Sequence, residues 1–261
     1  MKRLLALGCG APLPALEQCK TSDLVGAVGF YATGFVLRSP VTNLTGPFAR
    51  LGRFESDGKG NLTFTSTASF NGNLIPQDFS GRYTMNPDCT FISQVSLPDP
   101  INLSITFFGV LSDEGNEIRD LFVSPDGIVV YGTGRKQHLE NCTNRSLAGA
   151  YQVDLSGTLL QPGKPRLPFS GVGRIQADGK GGFEGKLGSN HGGLALHEAI
   201  SGTYTVASDC TFQLKYYTGG EPKTPGGGVT LKGVFIDGDR AAYLMVVDPG
   251  AATVLGFLKH Q

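Results

Sequence analysis

The stretch Gly52-Arg53-Phe54-Glu55-Ser56-Asp57-Gly58-Lys59-Gly60 returns later in the chain as Gly173-Arg174-Ile175-Gln176-Ala177-Asp178-Gly179-Lys180-Gly181. Each version is a short alternating run that ends in an Asp-Gly turn, the pattern of one strand handing over to the next in a hairpin. The landmarks around it recur in the same order. Cys19, Gly26, Ser80-Gly81-Arg82-Tyr83-Thr84 and Asp88-Cys89-Thr90-Phe91 are matched by Cys142, Gly149, Ser201-Gly202-Thr203-Tyr204-Thr205 and Asp209-Cys210-Thr211-Phe212. The offset is 123 residues at the start, 121 in the middle and 124 at Gly109/Gly233, a drift small enough to belong to loops. The chain is a tandem duplication. Its period of about 120 residues is far above that of solenoid units, so each copy is long enough to own a core.

Short apolar runs split by turn residues continue on both sides of the repeated stretch. The pattern predicts strands near 25–36, 48–55, 61–68, 79–85, 90–96, 103–111, 117–124 and 128–134, and again near 148–159, 169–176, 182–188, 201–206, 211–217, 229–236, 241–247 and 252–258. No amphipathic helix interrupts them. Asp57-Gly58, Asn86-Pro87-Asp88 and Ser124-Pro125-Asp126-Gly127 supply tight turns. Successive hairpins favour an antiparallel meander, and eight strands can close without leaving an unpaired edge. The predicted fold is all-β, two tandem eight-stranded antiparallel β-barrels. Residues 1–18 form an N-terminal segment, 19–137 the first barrel and 138–261 the second.

Composition narrows the functional classes. The 22 basic and 22 acidic side chains cancel, so no basic field exists to attract nucleic acid or an anionic surface. No apolar run is long enough for a membrane span. Cys19 and Cys89 lie as far apart as Cys142 and Cys210 within two residues, which predicts one disulfide per copy; the alternative is four buried thiols. Bridges would place maturation in an oxidising compartment, secreted or lumenal. Asn43, Asn61, Asn102, Asn141 and Asn144 each head an Asn-X-Ser/Thr triplet open to glycosylation in a eukaryotic host. The start, Met1-Lys2-Arg3-Leu4-Leu5-Ala6-Leu7, is at best a truncated signal peptide, since Gly8 and Pro12 break it early. Cys9, which the second copy lacks, opens the alternative of a lipid anchor.

In strand count, copy length, hairpin order and absence of helix, both copies resemble the calycin-like barrels, most nearly the allene oxide cyclase and dirigent type. The lipocalin Gly-X-Trp signature is missing, since the chain has no tryptophan. The resemblance implies an apolar small molecule held inside a barrel and, in some members, cofactor-free cyclisation or steered coupling.

The duplication serves as an internal control on candidate residues. Features kept by both copies, such as Arg53/Arg174, Tyr83/Tyr204 and the Asp-Gly-Lys-Gly turns, read as scaffold; those turns run into strands rather than helices, so they do not cradle phosphate. Unshared polar residues are better functional candidates. Asp120, which follows Arg119 in an apolar strand where the second copy has Leu244, is the candidate general acid or base if it points inward. Tyr131, replaced by Leu255, is the candidate donor to a ligand carbonyl. Phe91, Phe107 and Arg119 are the candidate ligand-binding residues. His191, His197 and Glu198, found only in the second copy, fall in the glycine-rich connection between its third and fourth strands; a histidine beside a glutamate there reads as solvated loop residues, with an acid/base pair at the barrel mouth as the alternative. No metal, redox or Ser-His-Asp motif is visible, so no cofactor is expected.

The expected function is handling of an apolar small molecule in a barrel cavity, as a cofactor-free cyclase, isomerase or cycloaddition catalyst, with the first copy carrying the pocket. The rivals are a secreted binding protein without chemistry and a structural surface module with solidly packed barrels. The sequence sets no oligomeric state.

Overall fold

The computed structural model describes residues 18–39, 44–160, 163, 165–219 and 228–261. Cys9, Asn43 and the apolar start of the chain lie outside the described residues. The first barrel comprises β1 (Val25–Val36), β2 (Gly46–Asp57), β3 (Asn61–Phe70), β4 (Asn73–Met85), β5 (Thr90–Leu97), β6 (Leu103–Ser112), β7 (Glu117–Ser124) and β8 (Ile128–Lys136). The second comprises β9 (Gly149–Leu159), β10 (Leu167–Ala177), β11 (Gly182–His191), β12 (Leu194–Val206), β13 (Thr211–Thr218), β14 (Val229–Ile236), β15 (Ala241–Val246) and β16 (Ala252–His260). Each set is a closed antiparallel meander. The first closes where β1 pairs with β8, from Val28↔Lys136 to Val36↔Ile128, and the second where β9 pairs with β16.

The repeated turns are held as their composition dictates. Asp57 Oδ1 accepts the backbone N–H of Lys59 at 2.7 Å and of Asn61 at 3.0 Å, while Gly58 supplies the left-handed residue at φ 68°. Asp178 Oδ1 accepts from Lys180 at 2.7 Å, with Gly179 at φ 73°. The shared arginines do matching work: Arg53 Nε donates to Gln137 Oε1 at 3.2 Å, and Arg174 Nε to Gln261 Oε1 at 2.8 Å. Each ties β2 or β10 to the residue that follows the last strand of its barrel. The shared tyrosines also bind backbone, Tyr83 at Thr21 O and Tyr204 at Asn144 O. Disulfides Cys19–Cys89 and Cys142–Cys210 tie the start of each copy to the β4–β5 or β12–β13 turn.

Strands β4 and β12 begin six or seven residues before the positions the alternation predicts, after tight turns at Asn71-Gly72 and Gly192-Gly193. His191 therefore ends β11 and His197 and Glu198 lie within β12, not in a loop. Pairing puts Leu187 opposite Glu198 and Gly188 opposite His197, so the two neighbours point to opposite faces.

The barrels pack side by side. The outer face of β2 contributes Ala49 and Leu51 to a buried cluster with Val234, Ile236, Tyr243 and Met245 of the second barrel. Tyr31 and Tyr243 meet edge to face with ring centroids 4.8 Å apart. At Gly29 the approach is so close that a Cβ would come within 2.8 Å of Ile236 Cγ2. Arg135 Nη1 pairs with Asp237 at 3.0 Å, and Lys232 Nζ donates to Thr67 Oγ1 at 2.9 Å. Among the described residues, no helix is long and apolar enough to cross a membrane.

Candidate functional site

Alternation sends every second side chain of a barrel strand into the lumen, and the two lumens are filled differently. In the second barrel, one continuous buried cluster runs from Leu147 and Cys210 at one end to Val246 and Ala252 at the other. In the first, the apolar residues form two clusters. One, with Leu24, Tyr83, Phe91 and Ile118, closes the disulfide end; the other, with Val36, Leu44, Phe70 and Leu97, lies toward the opposite end. Between them lies a cavity with about 100 Å³ open to the centre of a water-sized sphere. That is several times the roughly 10–15 Å³ that one water needs on the same measure.

Nine of the chain's 16 phenylalanines line this cavity. Phe64 stacks on Phe79 at 4.6 Å and meets Phe30 edge-on at 5.8 Å, while Phe107 meets Phe122 edge-on at 5.5 Å. Phe91 and Phe107 are both on the wall. The polar exceptions are few, and the most distinctive are Arg50 and Asp120.

These two belong to one cross-strand row. Arg50 pairs with Ala32, Ala32 with Gly132, Gly132 with Asp120, Asp120 with Gly109 and Gly109 with Phe91. Arg50 on β2 and Asp120 on β7 are thus three strands apart in a ring of eight, which sets them on facing walls of the lumen. The second barrel has the same row, residue for residue, as Gly171, Leu155, Gly256, Leu244, Gly233 and Phe212. Phenylalanine and both glycines of the row are kept; Arg50, Ala32 and Asp120 are what differ.

Asp120 is half-buried, with its inward side chain bordering the cavity. Burial pushes its carboxyl up to about 6, against the lowering effect of the Gly132 backbone N–H that it accepts. It forms no salt bridge with Arg119, whose guanidinium turns to Glu117 at 2.6 Å on the outer face. Arg119 and Tyr131 are not on the cavity wall. Ile118, Asp120 and Phe122 point in, so Arg119 points out; Ile128 and Val130 point in, so Tyr131 points out and is 56% exposed. Both border instead an open cleft between the barrels, together with Tyr31, Arg135, Ser170 and Tyr243.

Arg50 is the residue that sequence reasoning overlooks. It is buried, its Nη1 donates to Ser66 Oγ at 3.1 Å and its Nη2 to Gln77 Oε1 at 2.8 Å. Its Cζ lies 5.1 Å from the Phe79 ring centroid. Desolvation lowers its pKa to about 10, which leaves it charged at neutral pH. In the second barrel, His191 accepts or donates one hydrogen bond with Ser189 Oγ at 2.9 Å and packs on Phe169; no hydrogen bond joins it to Glu198. No cluster of three metal-ligating side chains occurs among the described residues.

No protein-family model and no curated protein sequence matches the chain. Among solved structures, it is similar to the isotype 1 transferrin binding protein B of serogroup B Neisseria meningitidis, at 10% identity and a TM-score of 0.28, over 91% of this chain and 77% of that one. It is also similar to a protein of unknown function from the DUF3598 family of Nostoc punctiforme, at 11% identity and a TM-score of 0.26, over 94% of this chain and 100% of that one. The resemblance to calycin-like barrels stands at the level of two closed eight-stranded barrels.

Proposed function

We propose that the first barrel binds an apolar small molecule in its lumen. One observation carries this reading: a phenylalanine-lined cavity interrupts the core of the first barrel, whereas the equivalent row of the second is plugged by leucines. A concave apolar wall with a few fixed polar groups is the usual make-up of a small-molecule site. Unfilled apolar space otherwise weakens a fold, because its walls lose contacts. Two disulfides support maturation in an oxidising compartment, outside the cytoplasm. The test is titration with the neutral fluorescent probe N-phenyl-1-naphthylamine. Saturable one-to-one binding is expected, and Ala32→Leu, which copies Leu155, should abolish it. Absence of saturable binding, or binding unchanged by Ala32→Leu, overturns the reading.

A second reading, cofactor-free isomerisation or cyclisation of the bound molecule, is favoured by Asp120. A carboxyl held near 6 beside an apolar chamber can hold or take up a proton near neutral pH. Turnover of an apolar precursor that survives Asp120→Asn at full rate would remove this reading and leave the binding function in place.

A further inference from the structure

Arg50 brings a positive charge into the phenylalanine chamber, and nothing among the described residues neutralises it at close range. Both of its hydrogen-bond partners, Ser66 and Gln77, are uncharged. No carboxylate among the described residues lies within the 4.0 Å of an ion pair with it. Asp120 faces it across the lumen without touching it. A guanidinium carries five N–H groups in a planar fork, and among the described residues only Ser66 and Gln77 engage two of them. An unspent donor lies alongside. Gln77 is only 4% exposed, yet its Nε2 has no acceptor, because its Oε1 is turned to Arg50. Buried donors of this kind are strongly disfavoured unless an acceptor arrives. The second barrel has Gly171 in place of Arg50, so closing a barrel of this type does not require the charge.

We infer that Arg50, with Gln77 beside it, anchors the carboxylate of an amphipathic monocarboxylic acid whose apolar body lies along the phenylalanine walls. A carboxylate presents two oxygens at the spacing of the guanidinium fork and supplies the missing counter-charge, which a neutral carbonyl does not. Arg50 is buried beside the Phe79 ring, so salt screens such a pairing much less than one at the surface. The inference rests on the lumen being a ligand pocket and specifies what fills it.

The experiment is displacement of bound N-phenyl-1-naphthylamine by decanoate, decanol and decylamine, which share one chain and differ in the head group. Charged hydrogen bonds of this kind correspond to roughly 10- to 100-fold, so decanoate should displace the probe that much more effectively than decanol. In Arg50→Met the acid and the alcohol should become equal while the probe still binds. Arg50→Lys, which keeps charge but loses the fork, and Gln77→Leu should each lower the acid-to-alcohol ratio; they carry the test if circular dichroism shows that Arg50→Met does not fold. Equal displacement by acid and alcohol in the parent, a preference for decylamine, or a ratio unchanged by these variants overturns the anchor while leaving the pocket. If neither the probe nor decanol binds, the pocket itself fails.

Discussion

Leu155 of β9 lies over Gly256 of β16, so close that a Cβ on the glycine would come within 2.5 Å of the leucine Cδ2. Ala32 and Gly132 hold the same two places in the first barrel, and there the bulk of that leucine is missing. One strand further round the same row, Leu244 stands where the first barrel has Asp120. The two lumens share strand number, register and the phenylalanine-over-glycine contacts of Phe91 on Gly109 and Phe212 on Gly233. Open and filled interiors therefore differ by a few side chains on a common scaffold, not by a different fold.

Copying the second barrel's row into the first should close it. The double variant Ala32→Leu/Asp120→Leu is expected to lose N-phenyl-1-naphthylamine binding and to raise the thermal midpoint. Each newly buried leucine contributes about 1.5–3 kcal/mol, reduced by whatever repacking it forces. Calorimetry and the binding titration together check this. A lowered midpoint with binding intact would show that the lumen is not shaped by these two positions.

Asp120 makes stability depend on pH in a stated direction. Its folded pKa, raised to about 6 from an ordinary 3.8, means that the folded chain keeps a proton that the unfolded chain has released. The associated stability is complete below pH 3.8 and is lost as pH rises through 6. Asp120→Asn removes the titration and can still accept from the Gly132 N–H. Relative to the parent, this variant should therefore gain stability progressively between about pH 4 and 7, as read from urea midpoints at each pH. A difference that is flat with pH would mean that Asp120 is not desolvated in the lumen.

The barrels were legible where alternation and turn chemistry agree. Asp57-Gly58 and Asp178-Gly179 mark hairpins because a short carboxylate and a left-handed glycine are what such a turn requires. The early part of β12 was hidden because Leu194 and Ala195 are exposed and His197 and Glu198 break the apolar rhythm. The outward facing of Tyr131 and Arg119 was hidden for a related reason. Leu121 and Val123 point outward at 48% and 50% exposure, so apolar residues on both faces conceal the phase of β7. Arg50 was hidden in the opposite way: between Ala49 and Leu51 it reads as the outward polar residue of an alternating strand. The outer face of β2 is in fact buried against the second barrel, with Ala49 and Leu51 at 1% and 4% exposure, which inverts the usual rule. The comparison of copies held the signal all the same, since Arg50 aligns with Gly171 and is an unshared charge.

The two disulfides close nearly equal spans, 70 and 68 residues, so chain entropy assigns each about the same stabilisation, near 4 kcal/mol. Their surroundings differ. Cys142 and Cys210 are buried in the second barrel's core, whereas Cys19 and Cys89 are only partly buried. Cys142→Ser/Cys210→Ser should therefore cost more than Cys19→Ser/Cys89→Ser, because it also places two hydroxyls among apolar neighbours. Urea denaturation of the two double variants measures the order directly, and equal losses would leave loop closure as the whole effect.

Contact between the barrels makes a last prediction about how they unfold. Met245 and Ile236 are fully buried in the shared cluster with Ala49 and Leu51, while Arg135, which joins Asp113, Glu117 and Asp237 at 3.0, 3.7 and 3.0 Å, keeps 29% of its side chain exposed. Truncating a buried methionine costs about 2–5 kcal/mol, whereas a partly exposed ion pair contributes roughly 0–1 kcal/mol. Met245→Ala should therefore weaken the coupling far more than Arg135→Ala. The parent is expected to melt in one transition, and Met245→Ala to split it into two, one per barrel, since each barrel retains its own closed sheet and disulfide. High salt should reduce the effect of Arg135→Ala and leave that of Met245→Ala unchanged, because only the ionic contact is screened. Two transitions in the parent would show that the barrels unfold independently despite the buried seam, and a larger loss from Arg135→Ala would mean that the ion pairs dominate it.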